Sequence, residues 1–235
     1  MRVKIHHEGR EIIIVGFLIL AIINIPLWLC LHHFLMVIPI VMTSISGVCF
    51  FFLVNFFRSP RRKFQGVLEN AVVASADGKV VALEKVYEPE YLKQDAIQLS
   101  VFMSLTNVHA NWFPVDGKVI YTAHHPGRFQ AAWLPKASTE NERSTVAIET
   151  PGGQIIVMRQ IAGAMARRIV TYATPGDDAC IEDQMGFIKF GSRVDIFLPL
   201  NTDIFVKLGD KTVGGISLVG RLHPENNSNH DEKSE

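Results

Sequence analysis

Hydrophobic positions are unevenly spread along this chain. Residues 12–57 are almost entirely apolar, whereas beyond residue 63 the apolar residues come in short runs separated by Gly, Pro and Asp-Gly. Ile12 to Leu31 is interrupted only by Asn24 and Pro26, and a helix of roughly 20 such residues is what a bilayer core requires. After His32-His33 a second run, Phe34 to Val54, has Thr43, Ser44 and Ser46 as its only polar members. Arg2, Lys4 and Arg10 precede this block, and Arg58, Arg61, Arg62 and Lys63 follow it. Basic flanks at both ends place both on the cytoplasmic side of a membrane. The pattern predicts an anchor over residues 1–63, a transmembrane hairpin with helices at 12–31 and 34–54; a re-entrant hairpin would carry the same pattern. A cleaved signal peptide fits poorly, because a second apolar run follows the first and no small-residue cleavage site separates them.

From Phe64 the period changes. Val72-Val73-Ala74, Asp77-Gly78 and Lys79 to Leu83 read as strand, turn, strand. Ala96 to Met103 is a further strand, and Arg143–Glu149 with Gln154–Gln160 bracket the hairpin signal Thr150-Pro151-Gly152-Gly153. Ile161 to Arg168 offers the one short helical turn. Asp77-Gly78-Lys79-Val80 recurs as Asp116-Gly117-Lys118-Val119, which suggests two related half-units, compatible with a biotinyl or lipoyl type. The expected fold is an all-β sandwich or small barrel over residues 64–221 with little helix. Residues 222–235 are polar without apolar period and read as a disordered tail.

Composition narrows the function classes. Lys plus Arg and Asp plus Glu number 23 each, so no bulk charge argues for nucleic acid. Cys30, Cys49 and Cys180 are too far apart in sequence for a CxxC site, which leaves neither a metal nor a disulfide framework indicated.

Two stretches carry candidate chemistry. Gly191-Ser192 lies between the strand-like runs Met185–Phe190 and Val194–Pro199. A hydroxyl directly after a residue without a side chain can approach its own preceding carbonyl if the backbone is held in a strained shape. The second stretch is Phe102-Met103-Ser104-Leu105-Thr106-Asn107-Val108-His109-Ala110-Asn111-Trp112-Phe113-Pro114, a polar segment with a single histidine after a strand.

This second stretch resembles the F-[LM]-S-x-x-[DN]-V-H-x-N-x-x-P segment of the phosphatidylserine decarboxylases. The resemblance continues in order through His125-Pro126-Gly127-Arg128-Phe129, then Pro135-Lys136-Ala137-Ser138 with Glu140-Asn141-Glu142-Arg143. Arg159-Gln160-Ile161-Ala162-Gly163 with Ala166-Arg167-Arg168-Ile169 follows, and then Phe190-Gly191-Ser192-Arg193-Val194-Asp195. It spans roughly residues 56–199 and is closer to the short, G-S-R type. It implies a chain that cleaves itself between Gly191 and Ser192 into a β chain, 1–191, and an α chain, 192–235. Ser192 would attack the Gly191 carbonyl and end as a pyruvoyl group, the only cofactor. His109 and Asp77 map to the family's base and its partner in an Asp-His-Ser relay. Some members carry a second histidine three residues after the first; here that position is Trp112, so His124 or His125 could share the work.

By the same resemblance the activity is conversion of phosphatidylserine to phosphatidylethanolamine and carbon dioxide through a Schiff base with the pyruvoyl ketone. The partners would be a phospholipid in the bilayer and the two chains of one precursor; a homo-oligomer is compatible. The catalytic domain would face the cytoplasm at the inner membrane, with Arg58, Arg61, Arg62 and Lys63 beside anionic head groups at about 1 kcal/mol each. Three alternatives stand beside this reading. A membrane-anchored adaptor of biotinyl or lipoyl type would leave Gly191-Ser192 uncut. Archaetidylserine could replace the lipid. A serine hydrolase would need a G-x-S-x-G elbow, which the sequence lacks.

Overall fold

The computed structural model describes residues 4–31, 35–133, 137–164, 168–189 and 191–223. His32-His33, the first residue of the second apolar run, Pro135-Lys136, Ala166-Arg167, Phe190 and the polar tail therefore lie outside the described residues. The chain forms two compact units, Met1–Arg61 and Arg62–Glu235.

In the first unit the polar interruptions of the apolar runs decide how the helices meet. α1 (His7–Leu31) and α2 (Val37–Phe56) are each long and apolar enough to cross a membrane. They pack as an antiparallel hairpin. Asn24 Nδ2 donates to Ser46 Oγ at 2.8 Å, Trp28 Nε1 to Thr43 Oγ1 at 2.9 Å, and Thr43 Oγ1 to Asn24 Oδ1 at 3.0 Å. In an apolar surrounding such groups have no water to turn to, so they satisfy one another across the helix pair. Strands β1 (Lys4–Ile5) and β2 (Arg58–Ser59) pair antiparallel and tie the two ends of the hairpin together.

The second unit is a curled eight-stranded antiparallel sheet flanked by two three-stranded ones. Its first half supplies β3 (Ala71–Val73), β4 (Gly78–Glu88) and β5 (Gln94–Met103). The chain then builds β6 (Ala110–Trp112), β7 (Gly117–His125), the short helix α3 (Ala137–Glu140), β8 (Arg143–Glu149) and β9 (Ile155–Ala162). Next come β10 (Arg168–Thr171), β11 (Asp178–Ala179) and β12 (Gln184–Lys189). Finally it returns to complete the first half with β13 (Ser192–Leu198), β14 (Asp203–Ile204), β15 (Lys211–Thr212) and β16 (Leu218–Arg221).

The strand order β11-β7-β8-β9-β13-β5-β4-β15 is symmetric about the β9–β13 pair, and the small sheets β10-β12-β6 and β14-β16-β3 match in the same sense. The repeated Asp-Gly-Lys-Val phrase is the seed of this symmetry. Val80 and Val119 make equivalent bonds, their N–H groups donating to the carbonyls of Asp210 and Asp177 at 2.9 Å. Gly78 and Gly117 each pass so close to a neighbouring carbonyl that an added Cβ would sit 2.1 or 2.2 Å from it. Only glycine permits that approach.

β3 and β4 are strands on either side of the bend at Asp77, as the pattern reads, and their partners lie elsewhere: β3 pairs with β16 and β4 with β5. The turn at Asp77-Gly78 carries the chain from one sheet into another. One local expectation is corrected: among the described residues no helical turn begins at Ile161, because Ile161 and Ala162 finish β9 and Arg168 opens β10, with 165–167 outside the described residues; the short helix described is Ala137–Glu140.

β13 is buried along its whole length. Val194, Ile196 and Leu198 face the main core with Leu99, Val101, Met103, Ile156 and Met158. By the two-residue period, Ser192 belongs to that inward face. Arg193, Asp195 and Phe197 point the other way.

Candidate active site

The site begins with a turn. At the end of β5, Ser104 receives Asn107: the Ser104 N–H and Oγ both donate to Asn107 Oδ1, at 2.9 and 2.7 Å, and Asn107 N–H donates to the Ser104 carbonyl at 2.9 Å. That closure aims the Asn107 carbonyl at His109 Nδ1, 3.0 Å away. The other ring nitrogen, Nε2, lies 3.2 Å from the backbone N–H of Gly191. An N–H can only donate, so Nε2 is the bare nitrogen and Nδ1 carries the proton given to Asn107. His109 is fully buried. The S-x-x-N-V-H spacing thus delivers a neutral imidazole with its lone pair on the Gly191–Ser192 segment.

Gly191 adopts φ +67°, in the left-handed region. An added Cβ there would meet nothing nearer than Leu105 Cδ2 at 4.0 Å, so backbone conformation, not space, calls for glycine. Gly163 has the opposite reason. A Cβ on it would lie 2.4 Å from the Gly191 oxygen and 3.1 Å from the Gly191 carbonyl carbon. The glycine of Arg159-Gln160-Ile161-Ala162-Gly163 is therefore what lets the chain stack against the Gly191 carbonyl.

Ser192 opens β13 in register with Met103 on one side and Ala162 on the other. Its Oγ donates to Met103 Sδ at 3.3 Å, and Asn111 Nδ2 approaches the same sulfur at 3.5 Å. A thioether is a weak acceptor. The hydroxyl is thus held without being tied up. Asn111 is itself fixed by Gln160 Nε2, which donates to its Oδ1 at 2.8 Å, and Gln160 Oε1 accepts from Thr171 Oγ1 at 2.8 Å.

Behind β13 the outward side chains lock its start. Arg193 Nε donates to Asp195 Oδ1 at 2.6 Å and Nη2 to Ser100 Oγ at 2.7 Å, while Ser138 Oγ donates to Asp195 Oδ2 at 2.7 Å. Ala137-Ser138 and Arg193-Val194-Asp195, distant in sequence, are parts of one buried network. Beside Gly191 opens a cavity of about 380 Å³ lined by Met103, Leu105, Ala132, Trp133, Gly163 and Ala164 among others. It is almost wholly apolar.

The structure thus unites Ser192, Gly191 and His109. Asp77 is placed differently. Its carboxylate is held by the Arg62 guanidinium in a two-pronged pair, with Nη2 to Oδ2 at 2.8 Å, and accepts the Gly214 N–H at 3.0 Å. A hydrogen bond from Asp77 to His109 is not among its contacts. Arg62 in turn stacks 4.2 Å over the ring of Trp112. Its side chain is only 5% exposed, so it does not stand by lipid head groups as the basic cluster suggested. His124 and His125 turn to Glu142, at 3.6 Å, and Glu90, at 2.7 Å. Sequence reasoning passed over Arg62, Asn107, Asn111 and Gly163. Asn107 and Asn111 flank the histidine at fixed spacing and could have been flagged from it; Arg62 looked like one cation of four.

The β domain thus holds a Gly–Ser bond in a left-handed turn, against a neutral histidine and beside an apolar cavity. The comparisons give the particular family. The phosphatidylserine decarboxylase family model matches residues 50–220. The chain is 50% identical over 222 residues to the phosphatidylserine decarboxylase proenzyme of Phocaeicola vulgatus, covering 94% of this chain and 96% of that protein, and equally so to that of Bacteroides thetaiotaomicron. The proenzyme of Porphyromonas gingivalis is 47% identical over 93% of this chain and 99% of its own length. This chain belongs to the phosphatidylserine decarboxylase family.

Proposed function

We propose that this protein is a membrane-anchored phosphatidylserine decarboxylase that cuts its own chain between Gly191 and Ser192. The observation that carries the reading is the bare His109 Nε2 at 3.2 Å from the Gly191 N–H, with the Ser192 hydroxyl on the next residue. His109 takes the Ser192 proton as Oγ bonds to the Gly191 carbonyl carbon. The C–N bond then breaks, and the Ser192 nitrogen leaves protonated. Loss of the Ser192 Cα proton and cleavage of Cβ–Oγ free the Gly191 carboxylate as a new C-terminus. Water then replaces the nitrogen, which departs as ammonia.

The pyruvoyl group so formed supplies a ketone that accepts the substrate amine and takes up charge as carbon dioxide leaves. The residues around position 192 suit it. The pocket is buried and apolar, which excludes water from a reactive centre. Asn111 Nδ2 is a buried donor on the Ser192 side, aimed only at a sulfur. His109 can hold or return a proton there. Asp77 acts through the Arg62–Trp112 stack, shaping the strand three residues beyond His109, and not as a direct partner of the imidazole. The two apolar helices keep the enzyme with its lipid, the catalytic unit facing the cytoplasm at the inner membrane.

The test is the mass of the purified protein under denaturing conditions. Two pieces are expected, the smaller starting at position 192 with a ketone in place of an amine. Ser192→Ala should give a single intact, inactive chain. An active, uncut Ser192→Ala protein, or a wild-type chain that stays whole in membranes, overturns the proposal.

A further inference from the structure

The two halves of the β domain can be laid on each other through their registers. Lys79 faces Phe102 as Lys118 faces Glu149, and Ile97 faces Leu198 as Ser144 faces Gln160. Val72 and Asn111 each lie five residues ahead of their Asp-Gly turn. Val72, Ile97 and Leu198 are therefore the counterparts of Asn111, Ser144 and Gln160. In the first half these positions are plain core: Val72 and Leu198 belong to the main apolar cluster, and Ile97 packs against it. In the second half they are polar, yet Asn111 and Gln160 are fully buried and Ser144 is 2% exposed. The fold is content with apolar side chains here, and polar ones cost stability unless they are paired.

These side chains form a chain of hydrogen bonds with a direction. Ser144 Oγ and Thr171 Oγ1 lie 2.7 Å apart, Thr171 Oγ1 donates to Gln160 Oε1 at 2.8 Å, and Gln160 Nε2 donates to Asn111 Oδ1 at 2.8 Å. The chain ends at Asn111 Nδ2, 3.5 Å from Met103 Sδ, the sulfur to which Ser192 Oγ also donates at 3.3 Å. A thioether accepts and never donates, so the amide turns its nitrogen to the sulfur and its oxygen to Gln160. Thr171 has a single hydroxyl proton and gives it to Gln160; Ser144 then donates to Thr171. Gly186 makes room for this. Where the pairing of β12 with β6 shifts register, an added Cβ on it would lie 2.7 Å from Gln160 Nε2. Side chains from β8, β10, β9 and β6 thus hold one amide nitrogen beside Ser192. Among the described residues that nitrogen meets only a weak acceptor.

We propose that Asn111 is a contact of the processed site. Once Ser192 has become the pyruvoyl group, Asn111 Nδ2 donates to the ketone oxygen in place of the sulfur. Gln160, Thr171 and Ser144 are the positioning residues that keep it turned that way. As the substrate nitrogen bonds to the ketone carbon, the C=O electron pair moves onto the oxygen, and a fixed donor there stabilises the charge. The inference rests on the decarboxylase reading, but its first readout is not turnover.

That readout is the ketone carbon itself. The full chain is produced with serine carrying carbon-13 at Cα, so that the ketone at position 192 is a labelled carbonyl carbon among labelled saturated ones. The cleaved protein is then observed by magnetic resonance without substrate. A hydrogen bond to the oxygen deshields this carbon. Asn111→Leu, which keeps the shape, should move the resonance upfield and lower kcat/KM about 10²-fold. Self-cleavage should still run to completion, because His109 and not Asn111 takes the Ser192 proton. Thr171→Val should move the resonance the same way by less and cut turnover several-fold, whereas Thr171→Ser, which keeps the hydroxyl, should match the wild type. An unmoved resonance in cleaved Asn111→Leu overturns the inference. Should that variant stay uncut, the Thr171 pair decides, and identical resonances in Thr171→Val and Thr171→Ser overturn it. A wild-type chain that stays whole and shows no ketone resonance overturns the decarboxylase reading instead.

Discussion

The two halves of the β domain solve one problem twice, and the difference between their solutions falls at the Gly191–Ser192 bond. β8 and β9 pair with Glu149 opposite Ile155, and the tight turn Thr150–Gly153 closes their end. β5 and β13 are their counterparts across the symmetric sheet, with Met103 opposite Ser192 at the symmetry-equivalent end. Here no short turn exists. The chain leaves at Met103, builds the entire second half and returns at Gly191. The two cut ends of that opened hairpin lie side by side, one carrying His109 and the other Gly191. Even the left-handed glycine is shared: Gly153 has φ +80° and Gly191 φ +67°. A position that in one half only turns the chain has, in the other, an imidazole against it.

The two Asp-Gly turns differ in the same way. Asp116 Oδ1 accepts the Ile181 N–H at 2.8 Å, as Asp77 Oδ1 accepts Gly214 N–H at 3.0 Å. Both are turn aspartates, but Asp77 also neutralises buried Arg62.

The largest effect expected from breaking this comparison is at the imidazole. His109→Ala should slow self-cleavage by roughly 10²–10⁴-fold, read as the fraction of intact chain over time by mass. Normal cleavage would move the base elsewhere. Next, Asp77→Asn strands the Arg62 guanidinium and should cost about 3–5 kcal/mol, whereas Asp116→Asn keeps an acceptor for Ile181 and should cost about 1 kcal/mol or less. Urea midpoints of the two variants give the difference; equal midpoints would mean the two turns are alike after all. A smaller effect separates the two glycines. Gly191→Ala and Gly153→Ala should each cost about 1–2 kcal/mol for a left-handed alanine, but only the first should slow cleavage.

The smallest effect concerns acid. Burial pushes the Glu88 carboxyl up, but the N–H groups of Leu92, Tyr91 and Glu90 and the Arg159 guanidinium outweigh it and hold it below its ordinary value of 4.5. A carboxylate lowered in the folded state adds stability that is complete above that value and is lost as pH falls below it. Glu88→Gln should therefore flatten the loss of thermal stability between about pH 5 and 3. An unchanged slope would show that other carboxylates govern it.

Much of this was legible in the residues. The apolar runs announced two helices, and Asn24, Thr43 and Ser46, the breaks in them, turned out to face one another. The repeated Asp-Gly-Lys-Val named the symmetry of the sheet. The site was legible as far as types and spacing go: Gly191, Ser192 and His109 meet as the family resemblance implied. What stayed open was pairing. Val72–Ala74 and Lys79–Leu83 flank a turn, but a local turn signal cannot say which distant strands they pair with. Arg62 looked like a surface charge because only its burial against Trp112 reveals otherwise.

By itself, then, the sequence determined the local things: helix length, strand period, the need for glycine before Ser192, and the S-x-x-N-V-H turn. These follow from short-range sterics and hydrogen bonds. The tertiary structure decided which strands pair across nearly ninety residues, from Met103 to Ser192. It also decided that Asp77 answers to Arg62 and that Gly163 lies beneath the Gly191 carbonyl. Such long-range choices rest on packing of whole faces in one sheet, summed over many small contacts that no short stretch of chain encodes.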